Sequence, residues 1–79
     1  MLDVNVIIND QRTPDVLCDI VDLVEELTWV KAPNIYLDDV SDIVKQSIKN
    51  QITSQFNLTQ EEFDFIWENF STLTEVIFG

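Results

Sequence analysis

Hydrophobic and polar positions change period along this chain. Leu2, Val4, Val6 and Ile8 alternate with Asp3, Asn5, Ile7 and Asn9, the period of two of a short β-strand. A lone strand leaves backbone donors and acceptors without partners. Three segments offer pairing: the stretch around Asn34 to Leu37, the C-terminal Val76-Ile77-Phe78, or the same strand of a second copy. Asn9-Asp10-Gln11-Arg12 reads as a polar turn. From Thr13 the period becomes helical. Thr13 can cap a helix that Pro14 opens, since proline at the first helical position gives up only an orphan N–H. Val16, Leu17, Ile20, Leu23, Val24 and Leu27 then form one broad apolar face over a helix near 14–28.

Trp29 to Asn34 reads as a connection, with Pro33 biasing Ala32 away from helical geometry. Ile35-Tyr36-Leu37 is apolar and suits extended chain. A second helix near 38–55 begins at Asp38 or Asp39, either of which can cap it, and buries Val40, Ile43, Val44, Ile48 and Ile52, with Ser47 and Gln51 on the same side. Asp42 and Lys45 are spaced for a weak ion pair. Asn57-Leu58 interrupts the pattern. Thr59-Gln60-Glu61-Glu62 is then a capping box that opens a third helix near 60–77, with Phe63, Ile66, Trp67, Phe70, Leu73 and Ile77 on one face. Thr72 to Phe78 suits either helix or extended chain. Trp29 and Trp67 are expected in the core, with Trp29, at a helix end, open to half exposure.

The fold class expected is mainly α: a single domain over 1–79, three amphipathic helices around one core, with the N-terminal β-strand packed at its edge in an α+β variant. Nearly half of the 79 residues, 46%, are apolar, which supports a packed core rather than disorder. A domain of this size buries only roughly 60% of the surface its unfolded chain exposes. A homodimer is therefore expected to supplement both strand and core.

Charge changes the picture more than composition does. Fifteen Asp and Glu face four Lys and Arg, a formal net charge of −11. That opposes direct contact with nucleic acid or an anionic membrane and favours a basic protein partner. No basic leader precedes an apolar run and no stretch approaches a membrane span, so a cytoplasmic location is expected. With Cys18 as the sole cysteine, no internal disulfide framework is possible.

The acids are also arranged. Asp15, Asp19, Asp22 and Glu26 step by four, three and four residues and form one stripe nearly opposite the apolar face of the first helix, with Glu25 beside it. A solvated face ordinarily mixes signs; this one does not. Four like-charge neighbours at about 0.2–0.5 kcal/mol each oppose the helix, and Glu25 and Glu26 sit at the negative end of its dipole. Carboxylates at such spacing lie ~5–6 Å apart, the scale on which nucleic-acid phosphates are presented. Glu61, Asp64 and Glu68 form a second stripe on the third helix, and Phe65 lies beside it, either as a candidate interface anchor or packed against the N-terminal strand or a dimer mate. The expected function is a non-enzymatic inhibitor, a nucleic-acid mimic that occludes the basic surface of a nuclease or another nucleic-acid-handling protein. The contact set is Asp15, Asp19, Asp22, Glu25, Glu26, Glu61, Asp64, Phe65 and Glu68. The alternative is an adaptor, immunity or antitoxin-like module that binds through apolar surface at Phe65, Trp29 or the strand edge.

Enzymatic chemistry finds little foothold. The chain has no histidine, which removes the commonest general base and zinc ligand. Carboxylates beside Cys18 oppose a reactive thiolate. Paired carboxylates lie on exposed stripes rather than in a cleft that would separate their pKa values. No Asp-x-Asp-x-Asp-Gly loop is present for calcium. No catalytic, cofactor or metal residues are assigned. Acyl carrier proteins are similarly small, acidic and helical, but their Asp-Ser-Leu motif is absent: Ser41 follows Val40. Small acidic phage inhibitors of restriction and CRISPR nucleases share the general character of this chain, an analogy of type carried by no motif.

Overall fold

The computed structural model describes residues 2–31 and 35–79. Five α-helices form among them: α1 (Val4–Ile8), α2 (Thr13–Thr28), α3 (Asp42–Phe56), α4 (Gln60–Glu68) and α5 (Phe70–Phe78), with a short 3-10 turn at Leu37–Asp39. The architecture is mainly α, with no strand among the described residues. Ala32, Pro33 and Asn34, and with them the effect expected of Pro33 and one end of the expected pairing segment, lie outside the described residues.

The N-terminal segment is a helix, not the expected strand. The Asp3 carboxylate accepts the Val6 N–H at 2.9 Å, and the Ile7 N–H donates to the Asp3 carbonyl. Val4, Ile7 and Ile8 share one helical face, so the same residues satisfy both periods over so short a run. Ile7 is buried, whereas Val6 points outward. The expected pairing partners are equally unsuited: Leu37 belongs to the 3-10 turn, and 76–78 close α5.

Thr13 does not cap α2 from outside. It is the first residue of the helix, and its buried hydroxyl donates to the Ile7 carbonyl, tying α1 to α2. Pro14 follows in the first turn, where its missing N–H costs nothing. The apolar face of α2 is largely as expected: Val16, Leu17, Ile20 and Val24 are buried and Leu23 half-buried, while Leu27 drifts to the surface.

α3 starts later than expected. Asp38 and Asp39 form the 3-10 turn, and Ser41 caps the helix by accepting the Val44 N–H. Ile48 and Ile52 are buried and Val44 half-buried, but Ile43 is 84% exposed, and Ser47 and Gln51 also face solvent. The buried face is rotated toward Lys45 and Lys49. Both lysines reach α4: Lys45 Nζ lies 5.6 Å from the Trp67 ring centroid, and Lys49 Nζ meets Asp64 at 3.0 Å. Trp67 therefore replaces Asp42 as the neighbour of Lys45.

The α3–α4 corner is tightly specified. Asn57 adopts φ 55°, ψ 43°, and the Leu58 N–H returns to the Thr53 carbonyl, a Schellman closure in which buried Leu58 supplies the apolar contact. Thr59 and Glu62 form the expected capping box, each bond 3.0 Å. The expected continuous helix over 60–77 is broken at Asn69. Its backbone N–H and side-chain Nδ2 both donate to the Phe65 carbonyl, and its backbone leaves helical geometry at φ −108°, ψ 22°. This break turns α5 back onto α1 and α2. Phe63, Ile66, Trp67 and Leu73 join the buried core, with Phe70 and Ile77 packed at its edge.

Arg12 joins these pieces. It donates to Asp10, to Glu62, and to the carbonyls of Phe56 and Asn57 at the end of α3. The Arg12 hydrogen bond holds the Asp10 carboxyl below its ordinary value, against the opposing effect of partial burial. Arg12→Met is expected to lower stability by about 2 kcal/mol, the scale of hydrogen bonds to a charged group, measured by urea denaturation. Asp10 gives a pH signature. A carboxyl depressed in the folded state contributes stability above its unfolded pKa of about 3.9 and loses it as pH falls through the folded value. The stability gap between wild type and Asp10→Asn should be widest at neutral pH and close in acid; a pH-independent gap would deny the pairing.

Candidate interaction surface

The acidic stripe on α2 follows from the burial of its opposite side. With Val16, Ile20 and Val24 inward, residues at 15, 19, 22 and 26 must point out. Asp15, Asp22 and Glu26 are exposed, and among the described residues none of them meets a cation within ion-pair distance. Asp15 and Glu26 are separated along the axis by about 16 Å, three turns of helix. Asp19 is half-buried and accepts a hydrogen bond from Gln55 Nε2 of α3 at 3.0 Å. Glu25 is half-buried and holds an interaction of its own, so it is not a free member of the stripe. No basic residue stands in the last turn of α2 to answer the dipole.

The borders of this stripe are also set by packing. On one side Asp19 touches α3. On the other, α2 and α5 leave an apolar groove of about 240 Å³ lined by Leu17, Cys18, Val21, Asp22, Thr74 and Phe78. Asp22 belongs to both features. The exposed thiol of Cys18 lies inside the groove.

The second stripe is weaker than its spacing suggests. Glu61 and Glu68 are exposed, but both Asp64 oxygens take hydrogen bonds from Lys49 Nζ, at 3.0 and 3.2 Å. Phe65 is not an exposed anchor; it is half-buried and packs against the core cluster. The expected contact set therefore divides. Asp15, Asp22 and Glu26 form a free rail, Glu61 and Glu68 are exposed acids of α4, Asp19, Asp64 and Phe65 help hold the fold, and Glu25 has an interaction of its own. Both α2 and α4 pack against α3, which separates the two stripes.

The exposed aromatics lie elsewhere. Trp29 was expected in the core, yet it is 88% exposed and ends α2 at φ 63°, ψ 12°. A left-handed helix end favours glycine, and a bulky side chain there is strained. Sequence reasoning missed both the exposure and the strain, although a helix that runs through Thr28 with no glycine after it must end on some residue with a side chain. Tyr36 and Ile43 are also exposed. Among the described residues no three His, Cys, Asp or Glu side chains converge to hold a metal ion, and no helix is long and apolar enough to cross a membrane.

Trp29→Gly tests whether this aromatic serves the fold. Relief of the left-handed backbone and loss of an almost fully exposed side chain should leave stability unchanged or raise it by up to about 1 kcal/mol, read by thermal denaturation. A clear loss of stability would show that Trp29 packs in solution. No protein-family model, curated protein or solved structure matches the chain.

Proposed function

We propose that this chain is a non-enzymatic acidic inhibitor that occludes a basic, nucleic-acid-binding surface of a protein partner, with the α2 carboxylates standing in for phosphates. The observation that carries the reading is the distribution of cations. Arg12, Lys45 and Lys49 turn to other groups of the fold and the exposed Lys31 lies beyond the end of α2, while Asp15, Asp22 and Glu26 are aligned and, among the described residues, meet no cation within ion-pair distance. Of the acids left free, Asp22 and Glu26 are like-charge neighbours four residues apart that oppose the helix by about 0.2–0.5 kcal/mol at low salt, and Glu26 also sits at the negative end of the helix dipole. Solubility alone does not require acids of one sign on one face, because mixed charges serve it without that repulsion.

Arg and Lys that line a phosphate-binding groove accept carboxylates through the same charge-assisted hydrogen bonds. Such binding is fast and salt-sensitive, and nucleic acid displaces it. Inhibition of restriction or CRISPR nucleases is a setting in which a protein of this character acts. An adaptor reading, in which the partner docks on apolar surface, is favoured by one observation, the exposure of Trp29 at 88% and Ile43 at 84%.

The test is capture of partners from the host lysate on the wild-type protein and on an Asp15→Asn, Asp22→Asn, Glu26→Gln variant, with elution by duplex DNA or moderate salt. A DNA-handling protein released by DNA, and bound roughly 10- to 100-fold more weakly by the variant, is the expected result. Asp19 is left intact because its loss would also disturb the α2–α3 contact. Partners that ignore DNA, salt and the substitutions would refute mimicry and move the interface to Trp29 and Ile43.

A further inference from the structure

We infer that the groove between α2 and α5 receives the apolar side chains of a basic amphipathic helix of the partner, whose Lys and Arg side chains run along the α2 rail. This rests on the proposed function and specifies the partner element that would meet the rail.

The groove is apolar along Leu17, Val21 and Phe78, and Asp22 stands at its rim. Its volume of about 240 Å³ falls below the ~300–1,000 Å³ of small-molecule sites, so it suits one or two side chains rather than a cofactor. The adjoining rail of Asp15, Asp22 and Glu26 extends over about three helical turns. The matching ligand therefore has one or two apolar side chains for the groove beside a longer basic stripe for the rail. A basic helix that enters a nucleic-acid groove carries both.

Charge selects this occupant over the alternatives. Nucleic acid has the sign of the rail. A second copy of this chain would bring two molecules of net charge −11 together at their most acidic faces, closer than the ~8 Å Debye length can screen. A basic helix instead gains from both features at once, because burial of its apolar side chains excludes water from the ion pairs beside them.

The experiment uses the full chain and two fluorescein-labelled synthetic peptides of identical leucine and lysine composition. One places the leucines on a single helical face, and the other scatters them. Binding is read by fluorescence anisotropy, and occupancy of the groove by the rate at which iodoacetamide alkylates Cys18. The amphipathic peptide should bind about tenfold more tightly than the scattered one and protect Cys18. Phe78→Ser, which alters a side chain 56% exposed at the end of α5, should abolish that preference while the circular dichroism spectrum stays unchanged. Equal binding of both peptides with unprotected Cys18 would overturn the groove assignment and leave the acidic rail standing. Failure of both peptides to bind at low salt would instead refute the rail and the groove together. Protection of Cys18 by self-association, seen as a dimer in sedimentation, would replace the partner helix with a second copy.

Discussion

The Arg12 guanidinium is the constraint on which the arrangement of this domain turns. Three corners meet at it: the α1–α2 turn through Asp10, the C-terminal carbonyls of α3, and the first turn of α4 through Glu62. Each presents negative charge or partial charge, and among the described residues none pairs with another cation. Glu62 serves two corners at once, one oxygen on the Thr59 N–H and the other on Arg12. The helix dipoles make this placement favourable, since carbonyls at a C-terminus and a carboxylate in a first turn are both drawn to a positive charge between them. A lysine would supply the charge but not the planar fork that reaches these acceptors together.

That use of Arg12 has a consequence for the surface. A chain with four Lys and Arg against fifteen Asp and Glu can neutralise few of its acids, and its fold draws Arg12, Lys45 and Lys49 into helix–helix contacts. Asp10, Glu62 and Asp64 are answered; among the described residues Asp15, Asp22 and Glu26 of α2 meet no cation. Net charge and rail are thus separate facts. The first is composition, whereas the second follows from which acids lie within reach of the cations the core recruits.

Much of this was legible in the sequence. Long segments with strong period, such as Val16 to Val24 and Phe63 to Leu73, contain several turns of consistent pattern, and their buried faces follow directly. The capping box at Thr59 and Glu62 is local chemistry and formed as expected. The failures share a cause: short elements decided by contacts distant in the chain. Five residues from Val4 to Ile8 fit both periods, and the Thr13 hydroxyl on the Ile7 carbonyl is a tertiary fact. Asn69 breaks a helix through a side-chain bond that its neighbours do not announce. Ile43 is exposed because Lys45 and Lys49 turn α3 toward α4, and Asp64 leaves the second stripe by the same contact.

The candidate surface was legible in outline but not in edge. Helical spacing alone places Asp15, Asp22 and Glu26 in line, yet whether a stripe is free depends on what packs beside it. Packing removes Asp19 and Asp64 from the available set and opens the Cys18 groove next to Asp22. It also leaves Trp29 in a backbone state that glycine would occupy more easily, with its ring in solvent. Strain at Trp29 and repulsion along α2 both oppose stability, and burial of Val16, Leu17, Ile20 and Val24 on the opposite face offsets them. They flank one another at the same helix, in a domain whose size limits its reserves. Both are features of the solvent side of α2 rather than of its buried face, which Val16, Ile20 and Val24 occupy, so the packing that defines the helix sets neither of them.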